Sequence, residues 1–150
     1  MLNELDLSAI IVTIKLAIVS TSILILIGTP IAWWLSQTKF KFKAVFEAII
    51  ALPLILPPTV LGFYLLITLG SNGPIGKLLE SLGGSSIAFT FTGLVVGSVI
   101  YSIPFVVQPL QNSFSSVGRK PLEAAATLGA STIDRFFSVA VPLSRSGFIT

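Results

Sequence analysis

The stretch Leu16-Ala17-Ile18-Val19-Ser20-Thr21-Ser22-Ile23-Leu24-Ile25-Leu26-Ile27 carries no charge and, wound as a helix, is apolar around its whole circumference. A helix on a soluble domain needs one polar face; a helix without one lies in lipid or deep inside a bundle. Working outward, residues 16–38, 48–76 and 81–118 contain no Asp, Glu, Lys or Arg. Each stretch is longer than the roughly 20 apolar residues that cross a bilayer as helix. Of the 150 residues, 53% are hydrophobic and 10% charged, against about 25% charged in an average soluble domain. These features predict an all-α, polytopic transmembrane helical bundle and leave no room for a large soluble domain.

Composition also excludes chemistries. There is no Cys and no His in the chain, which removes disulfides, thiol nucleophiles, an imidazole base and the usual zinc ligands. No nucleophile, base and orienter stand together, so no catalytic residue, metal site or cofactor is expected and an enzyme is the least favoured class. The net charge of +3 is no nucleic-acid signal in so apolar a chain.

We read 1–150 as a single membrane domain with spans at about 10–35, 48–70 and 87–110, a segment at about 119–143 outside the membrane, and the start of a fourth span at 146–150. Lys15 lies near one end of the first span, where its stem can reach the headgroups. Trp33 and Trp34 mark the opposite interface. Glu4 and Asp6 are the first charges, whereas a cleavable signal peptide opens with basic residues, so a retained span is expected. Basic residues gather at Lys39, Lys41 and Lys43 and again between Arg119 and Arg145. By the positive-inside rule this predicts an outside N-terminus, loop 36–47 inside, loop 71–86 outside and segment 111–145 inside. The setting is a plasma (bacterial inner) membrane, crossed several times.

Four motifs remain. Gly73-Pro74-Ile75-Gly76-Lys77-Leu78 approximates a phosphate-binding loop, but its first glycine position is Ser71 and its magnesium-ligand position is Leu78; the chain is not expected to bind ATP. Pro53, Pro57 and Pro58 fall within six residues, followed by Thr59 and Gly62. Each proline removes a backbone donor and clashes with the preceding turn, and freed carbonyls in hydrocarbon need partners or a wet cavity. These five residues read either as a kinked packing helix or as the lining of a translocation pathway. Gly93 and Gly97 form a G-x-x-x-G pair, a close-packing feature. Finally, Pro121 and Glu123 suit the start of a helix, Gly129 suits its end, and Ser131-Thr132-Ile133-Asp134 reads as a capping box opening a second short helix. Pro142 is expected to break that second helix. The alternative is an amphipathic linker lying on the lipid.

Glu123-Ala124-Ala125, Gly129-Ala130 and the later Val139-x-Val141-Pro142 resemble the EAA loop of ABC-importer permeases, with Val at two positions where that family carries I-x-L-P. The resemblance implies that Glu123, Ala124, Ala125, Gly129, Ala130, Val139 and Pro142 form a coupling loop seated on a separate ATPase. Leu52–Gly62, Gly73-Pro74-Ile75-Gly76 and Ala88-Phe89-Thr90-Phe91-Thr92-Gly93 are similar to molybdate permeases, less so to sulfate permeases. That likeness implies one half of a pathway for molybdate or tungstate, working with a second permease copy, an ABC ATPase dimer and a periplasmic or extracellular oxyanion-binding protein. The family continues for about two further spans, so the chain is expected to be a fragment or truncated product. No ionisable residue sits deep in a span, so ion-coupled transport lacks its usual residue. A sulfate or thiosulfate permease, an ATP-independent channel or carrier, and a non-transporting scaffold stay open as alternatives.

Overall fold

The computed structural model describes residues 4–145. It is helical: α1 (Glu4–Gln37), α2 (Lys43–Ile55), α3 (Pro58–Leu69), α4 (Pro74–Ser81), α5 (Phe91–Val117), α6 (Lys120–Thr127), α7 (Thr132–Arg135), a π-helical turn (Phe136–Ala140) and α8 (Val141–Leu143). Two of these, Asp6–Gln37 within α1 and Phe91–Val117, are long and apolar enough to cross a membrane, and a bent pair supplies a third crossing if taken as one span. With no strands among the described residues, the chain has the all-α polytopic architecture expected of it. Several hydroxyls in the apolar helices bond to the turn behind them: Thr13 donates to Ala9 O, Ser22 to Ile18 O and Thr68 to Tyr64 O, whereas the Ser20 and Thr29 hydroxyls in α1 are buried without a partner among the described residues.

The chain forms two compact units. The first is built from residues up to Ile25 and from Ile50–Pro104; the second from Leu26–Ile49 and from Phe105 onward. In the first, the double proline dictates the path. A proline disfavours helical geometry in the residue before it, so Pro58 holds Pro57 extended (φ −55°, ψ 139°) while itself opening α3 at its first position. The expected single span at 48–70 is therefore two helices, of 13 and 12 residues, each about 20 Å long at 1.5 Å per residue and shorter than a bilayer core of about 30 Å. The break bends the chain by 107° between Lys43–Ile55 and Pro58–Ser81. Loop 71–86 contains α4, with Gly73 as N-cap and Pro74 beginning the helix. Its glycines are packing residues, not a phosphate cradle. A Cβ at Gly76 would overlap the Gly70 carbonyl oxygen, and one at Gly73 would overlap that of Ile67; both glycines are buried. Nearby, Ser86 Oγ donates to Leu69 O at 2.9 Å.

The span predicted to begin at 87 starts at Phe91 and runs to Val117, past the 110 expected. Residues 87–90 form a capped turn instead. Thr90 Oγ1 donates to Ile87 O at 2.7 Å and accepts from Gly93 N–H at 3.2 Å, while Phe89 sits at φ +58°. Gly93 is needed there because a Cβ would overlap Ile87 O; Gly97 faces the Leu65 side chain at ordinary contact distance. Lys15, expected to reach the headgroups, places Nζ 5.2 Å from the centre of the Phe91 ring, a cation–π contact.

In the second unit, the C-terminal portion of α1 packs on that of α5. Ala32, Leu35 and Val107 are fully buried and Leu110 nearly so. Gly28 permits this approach, since a Cβ there would lie 3.1 Å from Val106 Cγ1. The basic connection is tied down by Trp34 against Phe46 (centroids 5.3 Å apart), the Lys43–Glu47 pair at 3.7 Å, a hydrogen bond from Gln111 Nε2 to Glu47 Oε1 and Arg119 donating to Gln37 O at 3.4 Å.

Candidate functional site

The segment 119–143 folds as two short helices joined by a tight turn. Pro121 falls in the first turn of α6, where its missing N–H leaves no bond unmade. Glu123, also in that turn, faces solvent near the positive helix end. Leu122 is buried and anchors the helix. Gly129 takes φ +86° just past the last turn, and Ala130 N–H reaches back to Ala125 O at 3.0 Å, the left-handed stop that favours glycine. The predicted capping box is present. Ser131 Oγ accepts from Asp134 N–H at 3.2 Å, and the Asp134 carboxylate accepts from Ser131 N–H at 3.1 Å and Ser131 Oγ at 2.6 Å.

Pro142 does not break the second helix. A proline ring clashes with the carbonyl four residues back, here Ser138, and the chain meets this by widening the turn before it. Residues Phe136–Ala140 wind as a π turn, Val141 N–H bonds to Phe136 O five residues earlier, and helix resumes over Val141–Leu143. Such widened turns are rare and concentrate at functional positions. The start of a fourth span at 146–150 lies outside the described residues.

The seven residues singled out for this loop are thus gathered on one helix–turn–helix element. Glu123, Ala124, Gly129 and Pro142 are exposed, and Ala125, Ala130 and Val139 half-buried. Leu128 is 87% exposed, Ile133 69% and Phe137 65%, three large apolar side chains open on the same helix pair. Isolated exposed apolar residues are ordinary, but a group of large ones marks a binding surface.

The second set lies in the other unit. Pro53 is buried, Pro57, Pro58 and Thr59 are exposed at the break, and Gly62 is half-buried. Gly62 lines an apolar groove of about 360 Å³ with Leu65, Leu69, Gly93 and Gly97; the three prolines and Thr59 do not line it.

The capping box yields a prediction. Hydrogen bonds from the Ser131 side chain and then the Ser131 backbone hold the Asp134 carboxyl below its ordinary value of 3.8. A carboxylate whose folded pKa is depressed supports the fold above its unfolded pKa and releases it as pH falls through the folded one. The box should therefore persist from neutral pH to below 3.8 and open only in stronger acid. Ser131→Ala should bring the Asp134 titration, followed by carboxyl NMR shifts, back toward the ordinary value and weaken α7 by about 1 kcal/mol.

Residues 25–150 match the family described as the inner membrane component of binding-protein-dependent transport systems. The chain belongs to this family. Among relatives, the molybdenum transport system permease protein ModB of Azotobacter vinelandii is 58% identical over 149 residues, covering 99% of this chain and 66% of the relative. ModB of Escherichia coli K12 is 32% identical over 148 residues, covering 99% and 65%. A probable sulfate transport system permease of Chlorokybus atmophyticus is 37% identical over 143 residues, covering 95% and 50%. The chain therefore spans just under two thirds of the length of its molybdenum-system relatives. It is a multi-pass membrane component of a transport family.

Proposed function

We propose that this chain is the membrane-spanning permease part of an ATP-driven importer for a tetrahedral oxyanion, molybdate or tungstate, and that α6, α7 and the π turn form its seat on a separate ATPase. The observation that carries the reading is the exposed helix pair, with its left-handed Gly129 turn and the apolar Leu128, Ile133 and Phe137. It gives a rigid, partly apolar projection of the kind a groove on another subunit accepts. The charge pattern around Lys39–Lys43 and Arg119–Arg145 supports an inward placement of that projection. The likeness to molybdenum-system relatives supports the substrate.

In this reading the permease works as a pair, with an external oxyanion-binding protein delivering the ion and two ATPases driving the cycle. A dianion meets a barrier of tens of kcal/mol in hydrocarbon. Pro53, Pro57, Pro58, Thr59 and Gly62, with the same stretch of a second copy, open the backbone where the ion passes. ATP-driven closure of the ATPases draws the helix pairs together and switches access between the two sides.

Two measurements test this. Gly129→Leu in the full-length permease forces a branched side chain into a left-handed position, at roughly 1–2 kcal/mol; ATPase co-purification and coupled hydrolysis should both fall. Unchanged values would overturn the docking assignment. Competitive uptake of molybdate, tungstate and sulfate by the reconstituted transporter with its own binding protein reads the substrate. Molybdate or tungstate should win, and a sulfate preference would move the chain to the sulfate systems. Uptake in vesicles without ATP would instead restore a channel or carrier.

A further inference from the structure

The base of the helix pair is locked to both long helices by three aromatic rings. Trp33, in the last turns of α1, sits edge-on to Phe114 of α5 with centroids 5.4 Å apart and to Phe136 of the π turn at 5.3 Å. Phe114 and Phe136 close the triangle at 5.9 Å. Phe114 is 1% exposed. Leu35 and Ala140 are fully buried, as is Ser144, whose Oγ donates back to Ala140 O at 2.6 Å, while Trp33 and Phe136 are half-buried and also line an apolar groove of about 230 Å³. All of these belong to one compact unit.

From this we infer that Trp33, Phe114 and Phe136 act as a clamp making the helix pair and the C-terminal ends of α1 and α5 one rigid body throughout the transport cycle. They are positioning residues: they touch neither ion nor nucleotide, but carry a displacement of the helix pair into two long helices at once. The inference rests on the ATPase-docking reading above. Its physical basis is the contrast between the two ends of the projection. The tip, at Leu128 and Gly129, is open, so a partner can grip it. At the base Phe114 is buried with the half-buried Trp33 and Phe136 in ring contact with it, and packed interiors shift as blocks instead of deforming continuously. Aromatic pairs in edge-to-face contact add orientation to that packing, because each ring fits its neighbour in few poses. The π turn carries Phe136 into this triangle and absorbs Pro142 without ending the helix there, and Ala140 and Ser144 on the same stretch stay buried.

The test uses the full-length permease reconstituted in lipid vesicles with its ATPase and binding protein. The 150 residues contain no cysteine, so Trp33→Cys with Phe136→Cys, in a full-length chain otherwise free of cysteine, can be joined by a short reducible thiol-to-thiol linker. The clamp predicts that linkage does not lower molybdate uptake below that of the same unlinked double variant, because nothing moves across that gap, and that it lowers the ATP hydrolysed per ion imported by restoring the lost tie. Uptake lost on linkage and restored by reductant would overturn it. In a second arm, Phe114→Ala and Trp33→Leu, both on the long helices and outside the proposed seat, should leave ATPase co-purification unchanged while ATP hydrolysed per ion imported rises by about tenfold, with Trp33→Phe retaining coupling. An unchanged ratio in both loosened variants would equally overturn the clamp. A wild-type permease that holds no ATPase would instead overturn the docking reading beneath it.

Discussion

Replacing Gly76 with Ala should destabilise the protein strongly. The added Cβ would overlap the Gly70 carbonyl oxygen, and both sides of that contact are backbone, so no rotamer change relieves it. Gly70 itself ends α3, with its N–H bonded to Leu66 O at 2.9 Å, and its carbonyl accepts from Gly73 N–H at 2.8 Å. Separating the two backbones would unmake that turn. Overpacking in a closed site costs about 1–3 kcal/mol, and a rigid backbone clash belongs at the top of that range, which corresponds to a Tm lowered by roughly 10 °C. Thermal unfolding of the purified full-length protein in detergent measures it. Gly62→Ala is the matched control. Nothing lies within 4 Å of its added Cβ, it sits inside α3, and removing a helix-interior glycine should leave Tm unchanged or raise it slightly, by at most about 1 kcal/mol. Equal losses in the two variants would show that the α3–α4 turn is not packed as described.

The double substitution Pro57→Leu with Pro58→Leu should abolish uptake while leaving ATPase binding intact. Two leucines restore the missing N–H groups and lift the restriction that holds residue 57 extended. The stretch 48–69 carries no charge and is otherwise helix-permissive, so the 107° bend should relax toward one continuous helix. Pro57 and Pro58 lie in the first unit, whereas α6 and α7 belong to the second. Uptake should fall by more than about tenfold with ATPase co-purification within about twofold of wild type. Loss of both together would indicate misfolding and remove the pathway assignment. Circular dichroism on the purified variant, showing helix content unchanged or higher, separates the outcomes.

Much of this molecule is readable along the chain. Apolar runs without charge announce helices in lipid because a bilayer offers backbone and charge no other partner. Capping chemistry is equally local: Ser131 and Asp134, three residues apart, need nothing beyond their own turn, and Gly129 needs only its own φ. The failures share one cause. Pro142 appeared to end a helix because the rule considers the turn before it as fixed, whereas that turn widened. Gly73 and Gly76 resembled a damaged nucleotide motif because their purpose is set by Ile67 and Gly70 across a turn.

By itself, then, the sequence determined the membrane setting, the helical class, the two proline and glycine punctuation points and the helix pair, all of them consequences of short-range geometry and of solvent. Only the tertiary structure decided that the proline-rich span breaks into two helices at a steep angle, and that Trp33 is more than an interfacial marker. Trp33, Phe114 and Phe136 are far apart along the chain, and no local rule pairs them. They meet because Gly28 lets α1 approach α5 and because a π turn beneath Pro142 turns one more ring inward.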